Sequence, residues 1–315
     1  MVEEMRPVEE ANGAAAGGLG QGGVGQGRNP SIGCRRISLP FGDVRPIFVA
    51  NGPAATMPET PVYRRNLDDA PRPVAVLAKT WAAGERIPLH IHRRGQLVHA
   101  VTGIMRVETA EAAWIVPPAR ALWLPPELPH SILMRSRVDM RTLYIDPAAS
   151  AGLPQQPVLA EISGLLRELI LALQEEPADY PEDGRGGIVA RLILAELARL
   201  REGRLDLPMP HDARALRVAR ALLDDSSIDD DLDRWAERAG ASRRTLARIF
   251  RGETGFGFAE WRARLRAIDG LARLSNGASV GEAAAAVGYA SPSAFTAMIR
   301  RTLGGSPRRL ARPAA

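Results

Sequence analysis

The sequence predicts a multidomain α+β protein, with an antiparallel β-barrel or jelly roll N-terminally and an all-α domain of two helix-turn-helix units C-terminally. Three observations predict it. Short β-rich runs punctuated by Gly and Pro fill residues 74–146. A capped helix–turn–helix pattern near residue 240 returns 49 positions later. Between these regions the apolar residues take up helical spacing over residues 158–201.

Taken in order, residues 1–35 are rich in Gly, Ala, Gln and Asn, a composition that buries too little apolar area to offset the entropy of ordering. They are expected to be a disordered tail. The glycines there have no strand before them and no helix after them, which argues against a dinucleotide-binding loop. Strands are expected at Val74–Trp81, Gln96–Val101, Ile104–Thr109, Ala113–Val116, Ala121–Leu124, Ser131–Met134 and Val138–Ile145. Residues 147–157 read as a linker. Two amphipathic helices follow, Val158–Gln174 and Ile188–Arg201, and they pack on the barrel, on each other or on a second subunit. Leu207-Pro-Met-Pro210 is a second break, and a helix near Asp212–Leu223 leads onward. The expected domains are therefore 1–35 (tail), 36–146 (barrel), 147–210 (linker and two helices) and 211–315 (double helix-turn-helix).

In the C-terminal region, Asp231–Ala239 carries Leu232, Trp235, Ala236 and Ala239 on one face, with Asp229 or Asp230 as cap. Gly240 makes the turn and Ser242 caps the next helix, which buries Leu246, Ile249 and Phe250 and shows Arg243, Arg244, Arg248 and Arg251 on its other side. Ser279 and Ser291-Pro292 start the second copy, with Phe295, Met298 and Ile299 as its seam. One such helix alone suits a solvated basic surface as well as a reader of phosphate and guanine; two with aligned caps and seams favour the reader. The intervening Phe258–Asn276 spans about 28 Å as a helix, close to the ~34 Å between successive major-groove faces. From Ser242 onward thirteen arginines face four carboxylates, so the positive charge is concentrated at this end.

These residues, A-G-A-S-R-R-T-L-A-R-I-F-R-G-E-T-G, W-R-A-R-L-R, V-G-Y-A-S-P-S-A-F and L-G-G-S-P-R-R-L, resemble the DNA-binding domain of AraC/XylS transcription regulators over residues 229–310. Ile299 and Leu303 stand where the family often has phenylalanine. The resemblance implies base contacts at Arg244, Ala247 and Arg248 on the first recognition helix and at Ser293, Thr296 and Ala297 on the second. It implies phosphate contacts at Arg243, Arg251, Arg300 and Arg301, and partners in double-stranded DNA, a small-molecule effector and RNA polymerase. A homodimer is the alternative to packing of the two linker helices within the chain.

Gly84-x5-His90-x-His92-x3-Gln96-x6-Gly103 has the spacing of the first cupin motif, with Gln96 in the place of the metal-binding glutamate. Pro125-Pro-Glu-Leu-Pro-His130 resembles the second motif, with Glu127 in place of its glycine. Residues 74–146 thus resemble an AraC-type cupin sensor. His90, His92, Gln96 and His130 are candidate ligands for a divalent metal, weakened by the loss of an anionic ligand; a metal-free ligand pocket is the alternative. Trp81, Trp114, Trp123, Arg141 and Tyr144 are candidates for an effector pocket, and a plain β core accounts for the aromatics too. Trp114–Pro126 followed by R-T-L-Y (Arg141–Tyr144) is similar to AraC-type proteins that control antimicrobial exporters. Fusion to a DNA-binding unit argues against the second function class, a metal-dependent cupin enzyme, and no catalytic residue is expected.

Cys34 is the sole cysteine, which excludes an intrachain disulfide and suits a reducing cytoplasm. No run of about 18 apolar residues suggests a membrane span, and the M-V-E-E start lacks a signal-peptide pattern.

Overall fold

In the computed structural model the described residues are 62–63, 68–200 and 205–311. The expected tail, Cys34 and the start of the expected barrel domain lie outside them. The chain runs through β1 (Val62–Tyr63), β2 (Val74–Trp81), β3 (Arg86–Ile91), β4 (Gly95–Val98), β5 (Ala100–Thr102), β6 (Met105–Glu108), β7 (Ala112–Val116), β8 (Arg120–Leu124), β9 (His130–Met134), β10 (Val138–Ile145) and β11 (Val158–Glu161). Then come α1 (Gly164–Gln174), α2 (Arg185–Leu197) and a two-residue strand, β12 (Leu207–Pro208). The C-terminal part holds α3 (Ala213–Asp224), α4 (Leu232–Ala239), α5 (Arg243–Thr254), α6 (Phe258–Ser275), α7 (Val280–Ala286), α8 (Pro292–Leu303) and α9 (Pro307–Ala311).

Two sheets make the β domain, in the orders β1-β3-β9-β6-β7-β12 and β11-β8-β4-β10-β2, with β5 beside β10. Alternation sorts the side chains. Val98, Met105, Val107, Trp114, Leu122, Ile132 and Met140, drawn from both sheets, form the core between them. On the other face of the second sheet, Leu97, Trp123 and Leu143 pack under α1 and α2 through Leu166, Ile170, Ile193 and Leu197. The two helices therefore cover the barrel.

Three readings of this region change. Arg86–Ile91 is a strand although Pro88 interrupts it. The register shifts between Ile87 and His90, and a proline without an N–H is tolerated at such an irregularity. Val158–Glu161 is a strand paired with β8, not the start of a helix. The helix begins only after Ser163, whose hydroxyl caps it by accepting from the Leu166 amide; an apolar run this short fits either structure by pattern alone. In α2 the face buried against the barrel is Val189, Ala190, Ile193 and Leu197, while Ile188 and Leu192, which the apolar spacing groups on one face, are exposed. The helix starts three residues earlier than expected.

The C-terminal helices follow their caps. Asp231, rather than Asp229 or Asp230, caps α4 by accepting from Arg234 N–H. Gly240 ends that helix at φ 66°, in the left-handed region open to glycine. Ser242, Ser279 and Ser291 cap α5, α7 and α8. The helix α6 has two working faces. Trp261, Leu265, Ile268 and Ala272 pack with Leu246, Ile249 and Phe250 of the first unit. Ala267 and Leu271 pack with Phe295, Met298 and Ile299 of the second. Between them Gly270 admits the Phe295 ring, which a β-carbon would meet at 2.4 Å. Packing outweighs helix propensity there.

The two halves share a core. Ile104, Ala113 and Ile115 of the barrel lie in one apolar cluster with Leu207, Met209, Trp261 and Leu265. The segment read as a mere break is β12, hydrogen-bonded to β7.

Candidate nucleic-acid interface and buried histidine cluster

On α5, Arg244 and Arg248 are exposed and make no ion pair among the described residues, and Ala247 is half-buried beside them. Arg243 pairs with Asp233 at 2.6 Å and Arg251 with Glu260 at 2.9 Å, both at the surface. Exposed pairs of this kind contribute about 0–1 kcal/mol, so a phosphate can take over either arginine at little cost. On α8, Ser293 and Ala297 are exposed and Thr296 is half-buried, while Arg300 and Arg301 project from the last turn. Ser293 shares its hydroxyl with Ser291 at 3.0 Å. The second helix therefore presents short side chains and the first presents two exposed guanidiniums.

The arginines of α6 do other work. The buried Arg266 donates to the carbonyls of Ser226, Ser227 and Ile228 and to Asp229. Arg262 donates to the Asp230 carbonyl and Arg264 to the Asp206 carbonyl. Part of the C-terminal positive charge thus serves as internal struts. Sequence spacing gives no sign of this for Arg266, which falls about 160° round the helix from Ile268, and none of its carbonyl partners.

Inside the barrel, β3 and β9 set His90 opposite His130, with ring centroids 4.2 Å apart. His92 joins them, and one ligand atom from each of the three lies within 4.8 Å of the others. All three are buried. Each ring is held through Nδ1 by a backbone carbonyl two residues away: Pro88 at 2.9 Å for His90, Arg94 at 2.6 Å for His92 and Leu128 at 2.8 Å for His130. A carbonyl only accepts, so Nδ1 carries the proton in the neutral ring and Nε2 keeps its lone pair. Burial lowers the His92 pKa and favours that neutral form.

Gln96, from β4, closes the cluster. Its Oε1 lies 3.2 Å from His92 Nε2 and 2.9 Å from His130 Nε2, and its Nε2 donates to Thr142 Oγ1 and Tyr144 Oη at 3.0 Å each. In this orientation an amide oxygen and the Nε2 lone pairs converge, a donor set suited to a borderline divalent cation. Rotated by half a turn, the amide NH2 would instead donate to both imidazoles and its oxygen would accept from Tyr144. The residues present fit a metal and also fit the metal-free state. Glu127, in place of the expected glycine, sits at φ 59° and donates its N–H to the His92 carbonyl at 3.0 Å. It accepts backbone strain next to the ligand loop.

The five pocket candidates separate. Tyr144 joins the histidine cluster, with its ring 5.2 Å from that of His92. Trp114 and Trp81 belong to the core between the sheets, and Lys79 Nζ lies over the Trp81 ring at 3.8 Å. Trp123 lies on the other face under α1 and α2, donating its indole N–H to Pro154 O. Arg141 is held at 2.5 Å by Asp139, two residues away on β10. The geometry does not bring these two to the histidines, because strand alternation turns them outward.

Comparison with known proteins follows this division. Residues 235–312 match a helix-turn-helix domain family, and residues 75–186 match the AraC-like ligand binding domain family. The HTH-type transcriptional regulator NimR of Escherichia coli (strain K12) is 31% identical over 222 residues, 70% of this chain and 81% of NimR. The chain belongs to the AraC family. It is an AraC-family transcriptional regulator with a helix-turn-helix DNA-binding domain and a ligand-binding domain. A second relative, the HTH-type transcriptional regulator RipA of Corynebacterium glutamicum, is 37% identical over 36% of this chain and 34% of its own length. Among solved structures, ToxT of Vibrio cholerae aligns over 76% of this chain and 98% of that one, at 12% identity and a TM-score of 0.32. No helix among the described residues is long and apolar enough to cross a membrane.

Proposed function

We propose that this AraC-family regulator reads its operator mainly with α5, through Arg244 and Arg248, and uses α8 for placement and methyl contacts. The observation that carries this is the pair of exposed arginines on α5 without an ion-pair partner among the described residues, beside a second recognition helix of short side chains. Ala247, Ser293, Thr296 and Ala297 complete the base-facing set, and Arg243, Arg251, Arg300 and Arg301 hold phosphates. A bidentate arginine–guanine pair discriminates by about 1–3 kcal/mol. Arg248→Ala is therefore expected to relax preference at one or two base pairs, whereas Arg300→Ala weakens binding to all sequences alike. Footprinting both variants on a selected site checks this; a uniform loss from Arg248→Ala contradicts the assignment.

The signal is read at His90, His92, Gln96 and His130. A borderline divalent cation is the ligand class best suited to three imidazole nitrogens and an amide oxygen. Bound there, it would supply a fixed charge in the barrel interior, while the carbonyls behind each ring orient the ligands. Gln96→Glu adds an anionic ligand and is expected to tighten Zn2+ or Ni2+ binding by about tenfold or more. Calorimetric titration of both proteins tests it, and absence of binding to either leaves the barrel as a metal-free pocket. Leu165 on α1 and Ile188 and Leu192 on α2 are large apolar side chains left exposed, which favours these helices as the homodimer contact. RNA polymerase contact and a cytoplasmic site of action follow from the same family reading.

A further inference from the structure

The barrel grips α6 from behind along nearly its whole length. Trp261, Leu265, Asp269, Ala272 and Asn276 recur at intervals of four, four, three and four residues, which places them on one stripe of the helix. At the first position the Trp261 indole donates to Pro208 O at 2.7 Å, and Pro208 belongs to the strand that pairs with β7. Leu265 lies in the cluster with Ile104 and Ile115. Asp269, 1% exposed, accepts from Arg135 at 2.8 Å and from the Ser226 hydroxyl at 2.7 Å. Arg273 completes its shell at 3.3 Å. Asn276, which ends the helix, accepts the Gly103 N–H at 2.9 Å.

Two barrel turns therefore hold the C-terminal half of α6, and they are tied together, since Arg135 N–H donates to the Ile104 carbonyl at 2.9 Å. Gly103 has no substitute at its turn: its φ is 93° and a β-carbon would meet the Arg137 carbonyl at 2.2 Å. Meanwhile Arg244, Arg248, Ser293 and Ala297 stay exposed, so the docked barrel leaves the recognition surfaces open. It acts on the part that joins them.

The geometry points to Arg135 as a positioning residue for DNA binding: through Asp269 it lets the barrel fix α6, and with it the separation and mutual angle of the two recognition helices. Arg135 follows directly on β9, whose first residue, His130, lies in the histidine cluster about 17 Å away along an extended strand. A shift of β9 at the cluster reaches α6 without any element in between. This rests on the two-helix reading of DNA given above.

The test is spacing tolerance. Full-length protein, Arg135→Ala, Arg135→Lys and Asn276→Ala are measured on a selected operator and on versions with one base pair inserted between the two recognised segments. One base pair moves the second segment by about 3.4 Å along the axis. The unaltered protein is expected to lose about tenfold or more in affinity on insertion, and Arg135→Ala and Asn276→Ala about threefold or less. Arg135→Lys, which keeps the charge, restores most of the penalty. A variant damaged only in folding would instead lose affinity for both spacings in equal proportion. If Arg135→Ala does not fold, Asn276→Ala and Arg135→Lys carry the measurement. Retention of the full penalty by every folded variant overturns the proposal, whereas indifference of the unaltered protein to insertion overturns the two-groove reading itself.

Discussion

Trp261→Ala is expected to destabilise the protein by about 3–5 kcal/mol, the range for truncating a buried tryptophan. Trp261 is 0% exposed and sits edge-on to Phe250, with centroids 5.6 Å apart. Its loss opens a cavity in an apolar cluster that includes both barrel and helix-turn-helix residues. It also leaves the Pro208 carbonyl without its donor. Because the cavity lies where the halves meet, the change alters cooperativity as well as stability. The unaltered protein is expected to unfold in a single transition and the variant in two, barrel and helices separately. Denaturation followed by far-UV circular dichroism reads both quantities. A single transition displaced by less than about 1 kcal/mol would mean that the halves do not depend on this contact.

The second large effect is acid sensitivity from His99, between β4 and β5. Its Nδ1 faces the Arg120 carbonyl at 3.2 Å, and its Nε2 is enclosed without a hydrogen-bond partner among the described residues. Burial, the largest cause, together with the nearby Arg167 charge, holds its pKa down to about 4. Below the usual histidine value of about 6.5 the unfolded chain takes up a proton that the folded protein refuses. The stability due to the neutral ring is thus fully present above about pH 6.5, is lost as the pH falls, and levels off below about pH 4. The difference amounts to about 3 kcal/mol. Carboxylates add their own slope, so the measurement is the comparison of urea midpoints for the unaltered protein and His99→Gln from neutral pH down to about 4. Parallel curves would remove His99 from the account.

The helical half was legible because its signals are local. Ser242, Gly240, Ser291 and the seams at Leu246 and Phe295 are cap and period signals that need nothing distant to act. The strands were legible where a turn residue bounded them, as at Gly103, and illegible at Pro88, whose tolerance depends on a register shift made by the partner strand. Val158–Glu161 and Leu207–Pro208 are strands only because β8 and β7 supply the other half of their ladders. The histidine cluster was legible from spacing. The carbonyls that set its tautomers and the two ways of satisfying Gln96 were not, since they belong to the folded backbone. Trp123 and Arg141 are candidates for the pocket by residue type, with a β core and a surface charge as the alternatives, and strand alternation turns both away from the histidines.

The strand β12 has a consequence for the chain's solubility. Pairing of Leu207 and Pro208 with Ala113 and Ala112 shields part of β7, which would otherwise be an outer strand. That strand reads A-A-W-I-V, apolar throughout and without charge or proline, the composition that recruits further strands from other molecules. Pro208, lacking an N–H, offers one fewer bonding group on its own outer side. The shielding segment lies beyond the helices that complete the barrel's own packing. A barrel severed ahead of residue 205 would therefore present a bare, sticky margin, and only the continuous chain supplies its guard.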